Sequence, residues 1–128
     1  MVMNLTIDAK SPLPAYQQVI QAIKLEVLSG GLCDGDLLPS IRDLAKLLKL
    51  NPNTVAKAYY ALEAEGFSEN RSGSGSRVRV PAGRRDALRQ AMFENELKNF
   101  LEKAVSLGFS LEDIQQFIER IKNEPSHR

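Results

Sequence analysis

The stretch from Leu38 to Gly66, LPSIRDLAKLLKLNPNTVAKAYYALEAEG, decides the fold. Ser40 stands just ahead of Ile41, Leu44, Ala45 and Leu48, which recur at helical spacing and form one apolar face. Ser40 therefore caps a helix from about Ile41 to Leu48, and Asp43 completes a capping box. Asn51-Pro52-Asn53-Thr54 repeats the start signal, with Asn51 as N-cap and Pro52 at the first helical position, where its missing N–H is harmless. The helix that follows buries Val55, Ala58, Tyr59 and Leu62 and ends at Gly66, because glycine takes the left-handed conformation cheaply. Two short helices joined this tightly are a candidate helix-turn-helix.

Working outward, Pro14 opens an earlier helix in which Tyr16, Val19, Ile20, Ile23 and Val27 share a face, and Gly30 and Gly31 stop it. Cys33-Asp34-Gly35-Asp36 reads as a polar turn. Beyond Gly66 the period changes to that of strands: Phe67 to Asn70, the turn material Arg71-Ser72-Gly73-Ser74-Gly75-Ser76, then the alternating Arg77-Val78-Arg79-Val80, ended by Pro81. A helix-turn-helix followed by a hairpin is the order of a winged helix, whose second helix enters the major groove and whose hairpin tip reaches the backbone or minor groove. The serine-glycine tip lacks the spacing and the flanking strand and helix of a nucleotide-cradling loop, which leaves a wing or a plain hairpin turn.

The remainder is helical. Leu88, Met92, Phe93, Leu97, Phe100, Leu101, Ala104 and Leu107 recur from about Arg85 to Leu107, with Gly108 as terminator. Ser110-Leu111-Glu112-Asp113 is a second capping box, followed by Leu111, Ile114, Phe117, Ile118 and Ile121 as a stripe that Pro125 ends. Two helices cannot enclose both stripes, so Leu97, Phe100, Leu101, Phe117, Ile118 and Ile121 are expected to form a dimerisation surface. The expected fold is mainly α with a small β-hairpin: a winged helix-turn-helix over residues 1–80 and a two-helix C-terminal dimerisation tail over residues 81–128.

Composition narrows the function. With one cysteine, Cys33, and one histidine, His127, neither a disulfide framework nor a metal site built on cysteines or imidazoles is available. Ser-His-Asp and Cys-His catalysis would need His127 at the extreme end of the chain. No enzyme, cofactor or metal is expected. The absence of a long apolar run or a basic leader points away from a membrane and toward the cytoplasm. Net charge is only +1, from 17 Lys and Arg against 16 Asp and Glu, so any basic surface is local. Residues 39–80 do hold one: seven cations (Arg42, Lys46, Lys49, Lys57, Arg71, Arg77, Arg79) against four carboxylates (Asp43, Glu63, Glu65, Glu69). Duplex affinity is dominated by phosphate neutralisation, so such an excess beside a candidate reading helix suits DNA. Asn51, Asn53, Thr54 and Lys57 supply amides, a hydroxyl and a cation near the start of that helix. The plainer alternative is that Asn51 only caps while the others are solvated.

Pro14-Ala15-Tyr16, Gly31-Leu32, Gly35-Asp36, Leu38 to Ala45, Asn51 to Val55, Leu62 to Gly66 and the Gly73-Ser74-Gly75 tip together resemble the N-terminal winged helix of GntR-family bacterial transcription regulators. The resemblance runs unbroken over about residues 12 to 80. It implies a homodimer that binds a palindromic double-stranded DNA operator, here as a repressor. Carried over by position, it assigns DNA contacts to Arg42, to Asn51, Pro52, Asn53 and Thr54, and to Gly73. Lys57 and Arg71 join them through their charge and position. Many members carry an arginine directly after the Thr-Val pair, where this chain has Ala56 followed by Lys57. The tail is similar to that of the YtrA-like short branch, in which it serves mainly for dimerisation. A small-molecule effector is possible, and a small one or none fits so short a tail. The competing expectation is a winged-helix protein–protein interaction module without specific DNA binding.

Overall fold

The computed structural model describes residues 5–71, 73–80 and 83–125. Ser72 at the hairpin tip, Pro81 as the hairpin terminator and His127 lie outside the described residues. The order of elements is α1 (Ala15–Ser29), α2 (Ile41–Leu48), α3 (Pro52–Ala64), β1 (Ser68–Arg71), β2 (Gly75–Val78), α4 (Arg85–Ser106) and α5 (Leu111–Lys122). Mainly α with a small hairpin, this is a winged helix-turn-helix with helices at its C-terminal end. The chain divides into two compact units, Met1–Arg89 and Gln90–Arg128, a division that falls inside α4.

In the first unit the start and stop signals act as their chemistry requires. Gly30, at φ +93°, closes α1 with its amide donating to the Val27 carbonyl. The Asp43 amide donates to Ser40 Oγ at 3.0 Å to begin α2, but the reciprocal bond of a capping box is absent. At Ser110 and Asp113 both bonds form. The φ of the capping serine sets the direction of its amide, and it is −61° at Ser40 against −89° at Ser110. At Ser110 the amide donates to Asp113 Oδ2 at 2.8 Å. The Asn53 amide donates to Asn51 Oδ1 at 2.8 Å, with Pro52 opening α3 as expected. Lys49 ends α2 at φ +57°, the one non-glycine residue with positive φ among the described residues. No glycine or asparagine marks that turn, so nothing in the residue types announces it.

α1, α2 and α3 pack around Val19, Ile23, Val27, Leu28, Leu44, Ala45, Val55, Ala58 and Leu62, with Leu32, Leu38, Phe67 and Val78 closing the core. Ile41 and Leu48, expected inside, are only half-buried. Tyr59 is buried, and its hydroxyl donates to the Pro39 carbonyl at 2.7 Å, which pins α3 to the residues leading into α2. Burial pushes the Tyr59 hydroxyl pKa up.

The wing differs from expectation in register. β1 pairs antiparallel with β2 from Ser68↔Val78 to Arg71↔Gly75, so the second strand is Gly75–Val78 rather than Arg77 to Val80. Gly75 and Ser76, read as turn, belong to the ladder. The reason is a third segment on the far side of β2: the Leu38 amide donates to the Ser76 carbonyl, and the Val78 amide to the Asp36 carbonyl, each at 2.8 Å. Backbone pairing on two sides, not side-chain burial, decides the state of these small polar residues. The segment around Cys33 to Asp36, expected to be only a polar turn, thus leads directly into that third partner. Val80 leaves the ladder and donates its amide to Asp34 Oδ1 at 3.1 Å. At the tip the Ser74 amide donates to the Arg71 carbonyl, and Gly73 adopts φ +81°, which a side chain would resist.

In the second unit, α4 runs to Ser106, Gly108 at φ +95° reverses the chain, and α5 follows its capping box. Ala104 is the single buried hydrophobic residue among its described residues.

Candidate nucleic-acid interface

α3 buries Val55, Ala58, Tyr59 and Leu62, so helical geometry places Asn53, Lys57 and Tyr60 on the opposite face, with Ala56 beside them. Asn53 and Lys57 are exposed, Thr54 is half-buried, and Pro52 is exposed at the first turn. Asn51 has its side-chain oxygen committed to the cap, which leaves its NH2 group for other partners. Arg42 stands exposed in the first turn of α2, which packs on α3. Among the described residues, Arg42, Lys46 and Lys49 form no ion pair.

The cations of the wing are arranged differently. Arg71 Nε meets Glu69 Oε1 at 2.8 Å, and Arg79 pairs with the other Glu69 oxygen and, at 3.8 Å, with Asp34. The Arg71 guanidinium, by hydrogen bond and charge, and then Arg79 hold the Glu69 carboxyl below the usual carboxylate range. Arg77 donates to the Gly35 carbonyl at 3.1 Å and so braces the third segment. Of the local basic excess read from composition, the α2 share is open to solvent while the wing share is partly spent on carboxylates. Arg71 and Gly73 are both exposed, the former in the Glu69 pair.

Sequence reasoning passed over several of these features. Asp34 enters the sequence reading only as part of a polar turn and Glu69 only as one of four carboxylates, and it takes the folded hairpin and the segment beside it to bring both to Arg79. Between α2, α3 and the wing lies an open groove of about 270 Å³, bordered by Leu37, Pro39, Ile41, Tyr60, Glu63 and Asn70 among others. It arises because the third segment holds the wing against the start of α2. Tyr16, on the shared apolar face of α1, is half-buried and lies under the Lys57 ammonium, 3.9 Å from ring centroid to nitrogen. Among the described residues no group of three His, Cys, Asp or Glu is placed to hold a metal ion.

What the arrangement offers is a convex helix face of amide, hydroxyl and cation, flanked by an open arginine and a glycine-tipped hairpin, which is chemistry for base edges and phosphates. Residues 15–78 match the family model of bacterial regulatory proteins, gntR family. The chain is 38% identical over 118 residues to the HTH-type transcriptional repressor YtrA of Bacillus subtilis (strain 168), spanning 90% of this chain and 89% of that protein. A solved GntR family transcriptional regulator from Listeria monocytogenes superposes with a TM-score of 0.74 at 28% identity, covering 89% of this chain and 98% of that one. YtrA from Sulfolobus acidocaldarius, a GntR-family transcription factor, superposes with a TM-score of 0.58 at 35% identity, over 73% of this chain and 97% of that one. These relatives are transcription regulators, not enzymes. The helix-turn-helix, the outward face of α3 and the wing all fall in the span that the family model covers, and the chain belongs to the GntR family of DNA-binding bacterial transcription regulators.

Proposed function

We propose that the chain is a cytoplasmic repressor that binds a palindromic operator as a homodimer. The observation that carries the reading is the outward face of α3, where Asn53 and Lys57 stand exposed opposite a fully buried apolar face. Asparagine suits the paired donor and acceptor of adenine in the major groove, and Thr54 can offer its hydroxyl or its methyl. Arg42 and Lys57 neutralise phosphates. Gly73, with no side chain at φ +81°, lets the wing backbone approach the sugar-phosphate surface beside Arg71. Asn51 and Pro52 fix where α3 begins and hence which residues reach the duplex.

The dimer rests on the tail. Leu97, Phe100, Phe117 and Ile118 are between 43% and 56% exposed, and Leu101 and Ile121 half-buried, more apolar surface than an isolated helix pair leaves in water without a partner. A two-fold interface closes the same patch of each chain on its copy and brings two α3 helices to two half-sites. Repression is supported by the name of the Bacillus relative. No described helix is long and apolar enough to cross a membrane. A gel shift against the DNA upstream of the chain's own gene, with excess bulk competitor, tests the reading. Retardation of that fragment alone is the expected result, whereas a protein-binding module would leave it unretarded.

A further inference from the structure

We propose that Tyr16 of α1 is a positioning residue for DNA binding: its ring holds the Lys57 ammonium at the edge of the α3 reading face, so that Lys57 meets the duplex as a fixed phosphate contact. This rests on the DNA reading above. Lys57 is the one basic residue of α3, since Ala56 occupies the neighbouring position. A free lysine has a long flexible stem, and fixing it on a phosphate costs rotamer entropy that a prior partner removes. Here the partner is present: α1 packs on α3, and Lys57 Nζ sits 3.9 Å from the centroid of the Tyr16 ring. Gln17 Nε2 donates to the Tyr16 hydroxyl at 3.0 Å and steadies the ring from its far end.

The choice of a ring matters. Lys24, on the same helix as Tyr16, also lies over an aromatic ring, that of Phe67 at 5.4 Å, but its ammonium is taken by Glu65 Oε1 at 2.7 Å. A carboxylate partner cancels the charge that a phosphate would meet. A neutral ring attracts the cation through its quadrupole and leaves both the net charge and the outward N–H donors available. Lys57 pairs with no carboxylate among the described residues. A phosphate contact carries no base information, so Tyr16 governs affinity across sequences and leaves the preferred sequence unchanged.

The test uses the full chain and the duplex that it enriches most from a randomised library, with fluorescence anisotropy over a salt series. Lys57→Ala should weaken binding and lower the salt slope by about 1. Tyr16→Leu should weaken binding about two- to fivefold, Tyr16→Phe, which keeps the ring and loses only the Gln17 bond, should lose less than Tyr16→Leu, and Tyr16→Leu added to Lys57→Ala should cost nothing more. Equal losses from Tyr16→Leu in both backgrounds, or none in either, would overturn the proposal. If Tyr16→Leu does not fold, the wild-type chain still decides: the ring-current shift of the Lys57 ε protons should persist when the duplex is bound, and its disappearance would mean that the ring lets go. If the wild-type chain enriches no duplex, the DNA reading fails and takes this inference with it. A wild type that binds beside an unaffected Tyr16→Leu sinks only the inference.

Discussion

The first unit and the second use apolar residues in opposite ways. Leu62 in α3 is 0% exposed, whereas Phe117 in α5, a larger side chain at an equally regular helical position, is 54% exposed. The first unit closes its own core with three helices and a hairpin. The second has two helices, a tight glycine reversal and an exact cap, yet a single buried hydrophobic residue, Ala104, among those described. Good local signals make helices in both, but only a further layer makes a core. The stability of the first unit therefore belongs to the chain itself, and under the proposed homodimer that of the second depends on protomer concentration.

Substitutions can break this contrast or sharpen it. Leu62→Ala removes a fully buried side chain and should destabilise the first unit by about 2–5 kcal/mol, read as a fall in its thermal midpoint. Phe117→Asp should leave that midpoint in place and weaken self-association by about 2 kcal/mol, roughly thirtyfold, read by sedimentation over a dilution series. Arg42→Ala, on an exposed position of the first unit, should change neither melting nor association but cost about 1–3 kcal/mol in operator binding by anisotropy. Lys49→Gly relieves the left-handed strain at the α2 C-cap and should raise the stability of the first unit by about 0.5–1 kcal/mol in urea unfolding. A change in association from Lys49→Gly or Arg42→Ala would show the two units to be less independent than their burial says.

The helices were legible because their signals are local. Ser40, Asn51, Gly66, Gly108 and Ser110 each act within one turn of where they stand, and Val55, Ala58, Tyr59 and Leu62 declare the buried face of α3 by spacing alone. Asn53 and Lys57 follow by subtraction as its outward face. The hairpin register was not legible, since Gly75 pairs with Arg71 and Ser76 with Asn70 while the Ser76 carbonyl also accepts from Leu38, a partner distant in sequence that no periodicity reports. For the same reason the sharing of Glu69 by Arg71 and Arg79, and the seating of Lys57 on Tyr16, could not be read from residue types. Charge counting found the basic excess of residues 39–80 and missed that part of it is neutralised within the wing. Lys49 shows the remaining limit: α2 ends on a left-handed C-cap without glycine, which leaves no compositional mark.

The central claim is that the apolar face of the tail is closed by a second copy, which in turn carries two reading helices to two half-sites. Sedimentation equilibrium of the full chain at micromolar concentration, alone and with the enriched duplex, measures this directly. The account predicts a species of twice the 14.2 kDa chain mass in the absence of DNA, and two chains per duplex in its presence. A 14.2 kDa species throughout, binding the duplex one chain at a time, would contradict it.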